Sequence, residues 1–206
     1  AIATNSINNG RMDAKNLKKL HNDFDGGFKL DYVKDASGAD LPYVVNKTMM
    51  RVDLPKALKP GASYSFRIKW WYNINNRIKI GGRSGFEHFE EGDNLVYTIA
   101  QFFPRMAVYN DVEGWQNKQF LGRGEFTLPF GDYKVNITAP ADHIIGSTGT
   151  LQNASSVLTK EQQARLKTAK TASEPVLIVT QEEAEAAEKQ KATKTKTWIF
   201  HATNVR

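Results

Sequence analysis

Apolar and polar residues alternate from residue 28 onward. Phe28, Leu30 and Tyr32 are separated by Lys29 and Asp31, the period-two pattern of a half-buried strand. The clearest case is Tyr64, Phe66, Ile68 and Trp70 interleaved with Ser65, Arg67 and Lys69. Residues 43–45 and 49–52 flank Asn46-Lys47-Thr48 and predict a hairpin. Strands are also predicted over 95–100, 124–128 and 133–138, the last two joined at Phe130-Gly131-Asp132. Shorter strands are expected at 143–147, 176–179 and 198–200. Residues 75–93 hold Gly81-Gly82-Arg83-Ser84-Gly85 and Glu90-Glu91-Gly92-Asp93 and read as a long loop.

The rhythm changes near the end of the chain. Thr159-Lys160-Glu161-Gln162 and Thr180-Gln181-Glu182-Glu183 both have the capping-box form, in which the Thr hydroxyl takes an orphan backbone N–H and the third residue on reaches back. They predict a helix from 160 to about 170 and a weaker one through Lys189. Ala, Glu and Lys dominate 182–190, so this helical insertion, about 159–190, should lie on the periphery. Residues 1–26 are polar and rich in Asn and Asp, with a short helix expected over 14–21. The organisation predicted is a polar segment 1–26 and a mostly β domain 27–206, built as open, curved (saddle-like) antiparallel sheets or a sandwich, with one or two short peripheral helices.

Composition narrows the function classes. Cysteine is absent, which removes disulfide scaffolds, cysteine zinc sites, iron–sulfur clusters and thiol nucleophiles. No apolar run reaches the ~18 residues of a membrane helix, and no signal peptide stands at Ala1-Ile2-Ala3-Thr4-Asn5. The net charge of +6 raises nucleic acid as a partner. The basic residues are dispersed among acids, so a solvated mixed surface is the better account.

Chemistry-bearing residues are sparse. His21, His88, His143 and His201 include no pair at the i, i+4 spacing of metal ligands on one helical face. His88 has Glu87, Glu90 and Glu91 close in sequence, but a Gly-rich loop lacks the rigidity that ligand placement needs. His143, after Asp142, reads as a turn or edge residue rather than a base. Gly81-Gly82-Arg83-Ser84-Gly85 lacks the phosphate-loop spacing and its Lys. Gly122-Arg123-Gly124 precedes a strand rather than a helix, which argues against a dinucleotide fingerprint. Glu90 and Glu91 are adjacent in a polar loop, which argues against an acid–base pair. No catalytic or metal-binding constellation is expected. The consecutive Trp70, Trp71 and Tyr72 must point to both faces of a strand, either filling a core or stacking on sugars.

The densest unusual stretch is Ile99-Ala100-Gln101-Phe102-Phe103-Pro104-Arg105-Met106-Ala107-Val108-Tyr109-Asn110-Asp111, followed by Gly114-Trp115 and 120–126. With 130–138, Pro140-Ala141-Asp142-His143-Ile144, Thr148-Gly149-Thr150-Leu151-Gln152-Asn153 and 198–206, it resembles the N-terminal β-domain of the aminopeptidase-N-like zinc metallopeptidases (gluzincins), bacterial type. The likeness is dense over 94–153 and 197–206 and looser over 28–93.

The resemblance implies a non-catalytic domain of an exported zinc aminopeptidase that removes N-terminal residues from peptides. It walls the substrate cleft and supports the catalytic domain, which is its partner in the same polypeptide. Zinc belongs to the parent enzyme, and no cofactor is expected in this chain. The family's His-Glu-x-x-His helix and Gly-x-Met-Glu strand are not found here, so the chain is expected to be a fragment, inactive alone. Gln101 matches the residue that helps hold the substrate's α-ammonium; an amide oxygen accepts from an ammonium without full charge pairing. Arg105 and Asp111 are expected to be structural, paired across the turn. The competing class is a stand-alone β-sandwich module that binds carbohydrate through Trp70 and Trp71.

Overall fold

The computed structural model describes residues 14, 23–117 and 127–206. The helix expected over 14–21 lies outside these residues except for Ala14, as do 124–126 of one expected strand. Among the described residues the sheets are antiparallel, none closes on itself, and the helices are short. This is the mostly β, open-sheet class that the alternation predicts. The chain divides into two units, one of residues 1–88 and 95–128, the other of residues 89–94 and 129–206.

The first unit is made of two-stranded ribbons. β1 (Lys29–Asp35) pairs with β4 (Phe66–Trp71), with a bulge between Leu30 and Tyr32. β2 (Tyr43–Asn46) and β3 (Met49–Val52) form the expected hairpin, and Lys47 turns it at φ 53°. Among the described residues of this unit the buried apolar side chains are Val33 of β1 and Leu41, at 2% and 5% exposure.

The expected long loop over 75–93 is instead ordered into a helical turn, α1 (Arg77–Ile80), and a strand, β5 (Gly85–Phe89), which pairs with β6 (Asn94–Thr98). Two local devices outweigh the Gly-rich composition. The Asn76 carboxamide oxygen accepts from the N–H groups of Ile78 and Lys79, each at 3.0 Å, satisfying orphan donors of the turn. Gly85, at φ 142°, lets the backbones meet: a Cβ there would stand 2.5 Å from the Asn75 carbonyl oxygen. Phe86 N–H then donates to that carbonyl at 2.8 Å. A last ribbon joins β7 (Tyr109–Asn110) to β8 (Gly114–Trp115).

The second unit is organised by one long ladder. β9 (Gly131–Pro140) pairs with β11 (Thr195–Val205), and β10 (Thr150–Leu151) adds to the other edge of β11. The partner of β9 is therefore β11, and 127–128 lie outside any strand; the hairpin expected at 130–132 does not form. Gly131 and Asp132 are inside β9 because Ile137 stands opposite Trp198 and Val135 opposite Phe200. Directly opposed residues share a face, so the full-length pairing gathers the apolar side chains into one core. Trp198, Phe200 and Val157 are buried there, with Ile137, Ala139, Ile145, Leu151 and Leu158 packed around them.

Residues 143–147 form no strand; Asn153 occupies that edge instead. Its carboxamide donates to the Thr197 carbonyl at 2.8 Å and accepts from Ile199 N–H at 3.0 Å, as a strand backbone does. It also opens the short helix α2 (Ala154–Val157).

Both capping boxes are formed, at α3 (Lys160–Ala169) and α4 (Gln181–Glu188). Residues 176–179 are not a strand, and Leu177 is 73% exposed. They bridge two capped helices, and the Thr180 cap claims the backbone where a strand would continue. Arg165 and Glu183 join the helices by a charged hydrogen bond. None of 182–190 is buried, so α4 is peripheral as expected.

Candidate functional site

The residue singled out in the sequence, Gln101, lies in the first unit, just past the end of β6. The strand expected over 95–100 stops at Thr98. Gln101 is exposed and holds a left-handed backbone, φ 52°, a region uncommon for a residue with a Cβ.

Its two neighbours are each held by a side chain from a distant element. Ser84, on the connection between α1 and β5, accepts from Ala100 N–H at 3.1 Å and donates to the Ala100 carbonyl at 3.3 Å. Trp70 of β4 donates its indole N–H to the Phe102 carbonyl at 2.9 Å. Phe102 and Phe103 then meet edge to face, their centroids 5.1 Å apart. Pro104 follows and keeps Phe103 out of the helical region.

Arg105 places its guanidinium 5.4 Å from the centroid of the Phe103 ring. Asp111 opens an exposed turn over 111–113. The acceptor that ties this turn is Asn110, whose side chain takes the N–H groups of Val112 at 3.1 Å and Glu113 at 2.8 Å. Arg105 thus has the Phe103 ring beside it, and the turn that Asp111 opens is capped by Asn110. Tyr109 and Trp115 face each other across the turn as an edge-to-face pair, 5.4 Å apart.

The tryptophans of the carbohydrate alternative are divided by strand alternation. Trp70 is half-buried with its N–H committed to Phe102, whereas Trp71 is 49% exposed with Lys29 Nζ 5.4 Å from its ring.

Among the described histidines, His143 pairs with the carboxylate beside it in sequence. His143 Nδ1 lies 3.0 Å from Asp142 Oδ1, and Asp142 Oδ2 accepts from Ala192 N–H at 2.7 Å. The Ala192 N–H, and after it His143, hold the Asp142 carboxyl below the usual carboxylate range. The pair ties the end of β9 to the segment after α4, a turn role in keeping with its place in the sequence. His88 sits in β5, and its neighbour Glu87 pairs with Arg77 at 3.0 Å. Among the described residues no three His, Asp or Glu side chains come together. No described helix is long and apolar enough to cross a membrane.

No family model, curated protein or solved structure matches this chain.

Ser84 carries no mark in the sequence. It stands in a Gly-rich run whose one familiar chemistry is phosphate binding, and the pairing that brings it to Ala100 depends on the unforeseen β5. The Tyr109–Trp115 pair has a usable signal: Asn110 and Asp111 between aromatics at hairpin spacing.

Proposed function

We propose that the chain is the N-terminal β-domain of an aminopeptidase-N-like zinc metallopeptidase. It walls the substrate cleft and lends Gln101 to the peptide's free α-ammonium. The observation that carries this reading is Gln101 itself. It is exposed just past the end of β6, in an unusual backbone conformation, within the segment of densest resemblance. A carboxamide suits an ammonium ligand, because its oxygen accepts from the charged group and its neutrality leaves the charge to be balanced elsewhere. The catalytic domain of the same polypeptide, with its zinc, is the partner. The abundance of exposed apolar side chains in the first unit supports a surface completed by another domain.

The parent polypeptide should carry a His-Glu-x-x-His helix. In that enzyme Gln101→Ala should weaken substrates with a free α-amine by about 1–3 kcal/mol, as expected for a lost hydrogen bond to a charged group. N-acetylated competitive ligands should bind the variant and the parent alike. A parent without the zinc motif, or equal losses for both ligand kinds, overturns the reading.

A further inference from the structure

We infer that Ser84 and Trp70 are positioning residues for Gln101: two side chains from separate elements bracket its backbone and hold it left-handed, with the carboxamide ready for an ammonium ligand. The inference rests on the proposed role of Gln101 and adds the residues through which that role is built.

A left-handed backbone is unfavourable for any side chain with a Cβ. Gln has no short polar group to offset it locally, as Asn and Asp do. Something outside residue 101 must therefore select the conformation. The flanking residues supply it. Ala100 is gripped at both its N–H and its carbonyl by one hydroxyl, that of Ser84, at 3.1 and 3.3 Å. A serine hydroxyl offers one donor and acceptor lone pairs, and here both functions fall on one residue sixteen positions away. On the other side the Phe102 carbonyl is fixed by the half-buried Trp70 indole at 2.9 Å. With the residues before and after held, the left-handed turn of the backbone falls on Gln101.

Each anchor is itself placed by rigid structure. Ser84 immediately precedes Gly85, whose close approach to Asn75 locks the connection. Trp70 is in the β1–β4 ribbon, opposite Leu30. Pro104 removes the helical alternative for Phe103, so the segment cannot relax by coiling onward. A ligating side chain on a pre-set backbone loses less freedom when it binds. The ligand class that fits is a small primary ammonium flanked by peptide, with the Gln101 oxygen as acceptor.

The test uses the whole chain, isotope-labelled, in solution. Positive φ brings an amide proton close to its own Hα, so Gln101 should show a strong intraresidue Overhauser contact. That contact should be lost in Ser84→Ala and restored in Ser84→Thr, which keeps the hydroxyl. Trp70→Phe, which keeps a ring but not the N–H, should weaken it. Cross-strand contacts between Val33 and Ile68 report in each variant that the β1–β4 ribbon of the same unit is intact. In the second arm, leucinamide should shift the Gln101 carboxamide signals and N-acetyl-leucinamide should not. Ser84→Ala should weaken the leucinamide response several-fold, with recovery in Ser84→Thr. An unchanged Gln101 contact in Ser84→Ala overturns the clamp. A leucinamide response undiminished in Ser84→Ala while the contact is lost overturns positioning alone. A parent chain with the contact present and no response to leucinamide overturns the amine-binding role of Gln101 and the positioning role with it.

Discussion

The two units spend their apolar residues differently. In the second, a ten-residue and an eleven-residue strand pair along nearly their whole length. Their opposed aromatic and aliphatic side chains close a core around Trp198, which is 3% exposed. In the first, the described strands pair two by two, and of the 22 exposed large hydrophobics among the described residues eighteen lie there. A two-stranded ribbon has a pair of faces and no third strand or helix to cover them, and it is at best marginally stable alone. The second unit thus has the build of a self-sufficient core, and the first of a surface. The chemistry-bearing segment around Gln101 belongs to the surface unit, where backbone strain and exposed aromatics are tolerated because they are not the source of stability.

The sharpest way to break this contrast is at Trp198. Trp198→Ala removes the largest side chain of the buried cluster, and truncating a buried aromatic costs about 3–5 kcal/mol. Chemical denaturation should show this loss as a lower midpoint. A loss under about 1 kcal/mol, the size of an average substitution, would mean that the ladder is not the seat of stability. Gly149→Ala tests the same unit through its backbone. Gly149 has φ 100°, and a Cβ there collides with the His201 carbonyl oxygen on β11. Forcing a side chain into that conformation should cost about 1–3 kcal/mol, read by the same titration. Gly146→Ala, which meets nothing, is the control.

What is legible in the sequence follows the same division. Period-two alternation reveals β1, β4 and β9, because each has one half-covered face that the pattern records. The capping boxes are legible because their bonds are local: Thr159 and Gln162, or Thr180 and Glu183, need only the turn they cap. Partnership is not legible. Residues 133–138 alternate equally well against 124–128 or β11, and only the joint burial of Trp198 and Phe200 decides. The apolar run at 176–179 has the composition of a buried strand, yet among the described residues no strand pairs with it, and hydrophobicity alone does not supply one. The candidate site is half legible. Gln101 stands out through the family resemblance and the polar break before Phe102-Phe103-Pro104. The Ser84 contact that bends it is set by pairing sixteen residues away, which no local window contains.

Between the large and small effects stand the helix caps. Thr180→Ala removes the hydroxyl that accepts from Glu183 N–H at 3.3 Å, and a lost cap of this kind costs about 1 kcal/mol. Acid should act on the same spot. Arg165, and after it the Thr180 N–H, hold the Glu183 carboxyl down at about 2, below its ordinary 4.5. A depressed carboxylate contributes stability in full above the ordinary value and loses it as pH falls toward the folded-state value. The helical signal should therefore decline between pH 4.5 and about 2, followed by circular dichroism. Glu183→Gln should flatten that decline. A Glu183→Gln protein with the same acid profile as its parent would show that other groups govern it. Among the described residues the helices longer than one turn, α3 and α4, both lie in the second unit, and the Glu183→Gln comparison assigns the decline to it.

The smallest effect on stability, and the most direct probe of the surface unit, is expected at Trp115. Trp115 is 60% exposed, its partner Tyr109 is 63% exposed, and Val112 at the turn between them is 87% exposed. The two rings meet edge to face. Such pairs contribute about 0.5–1.5 kcal/mol when packed, and less where water reaches both rings. The backbone turn is held independently by Asn110, so the hairpin has a reason to persist without the indole. Trp115→Ala should therefore change global stability by no more than about 0.5 kcal/mol, the range of surface substitutions. It should nonetheless lower the binding of a hydrophobic reporter dye if Trp115, Tyr109 and Val112 form one apolar surface, because it removes that surface's largest ring. A fall in stability comparable to that of Trp198→Ala would place a real core in the first unit. Unchanged dye binding, with stability also unchanged, would show that the exposed rings are scattered rather than a single apolar surface. That result would remove the support that the patch lends to a second domain docking there.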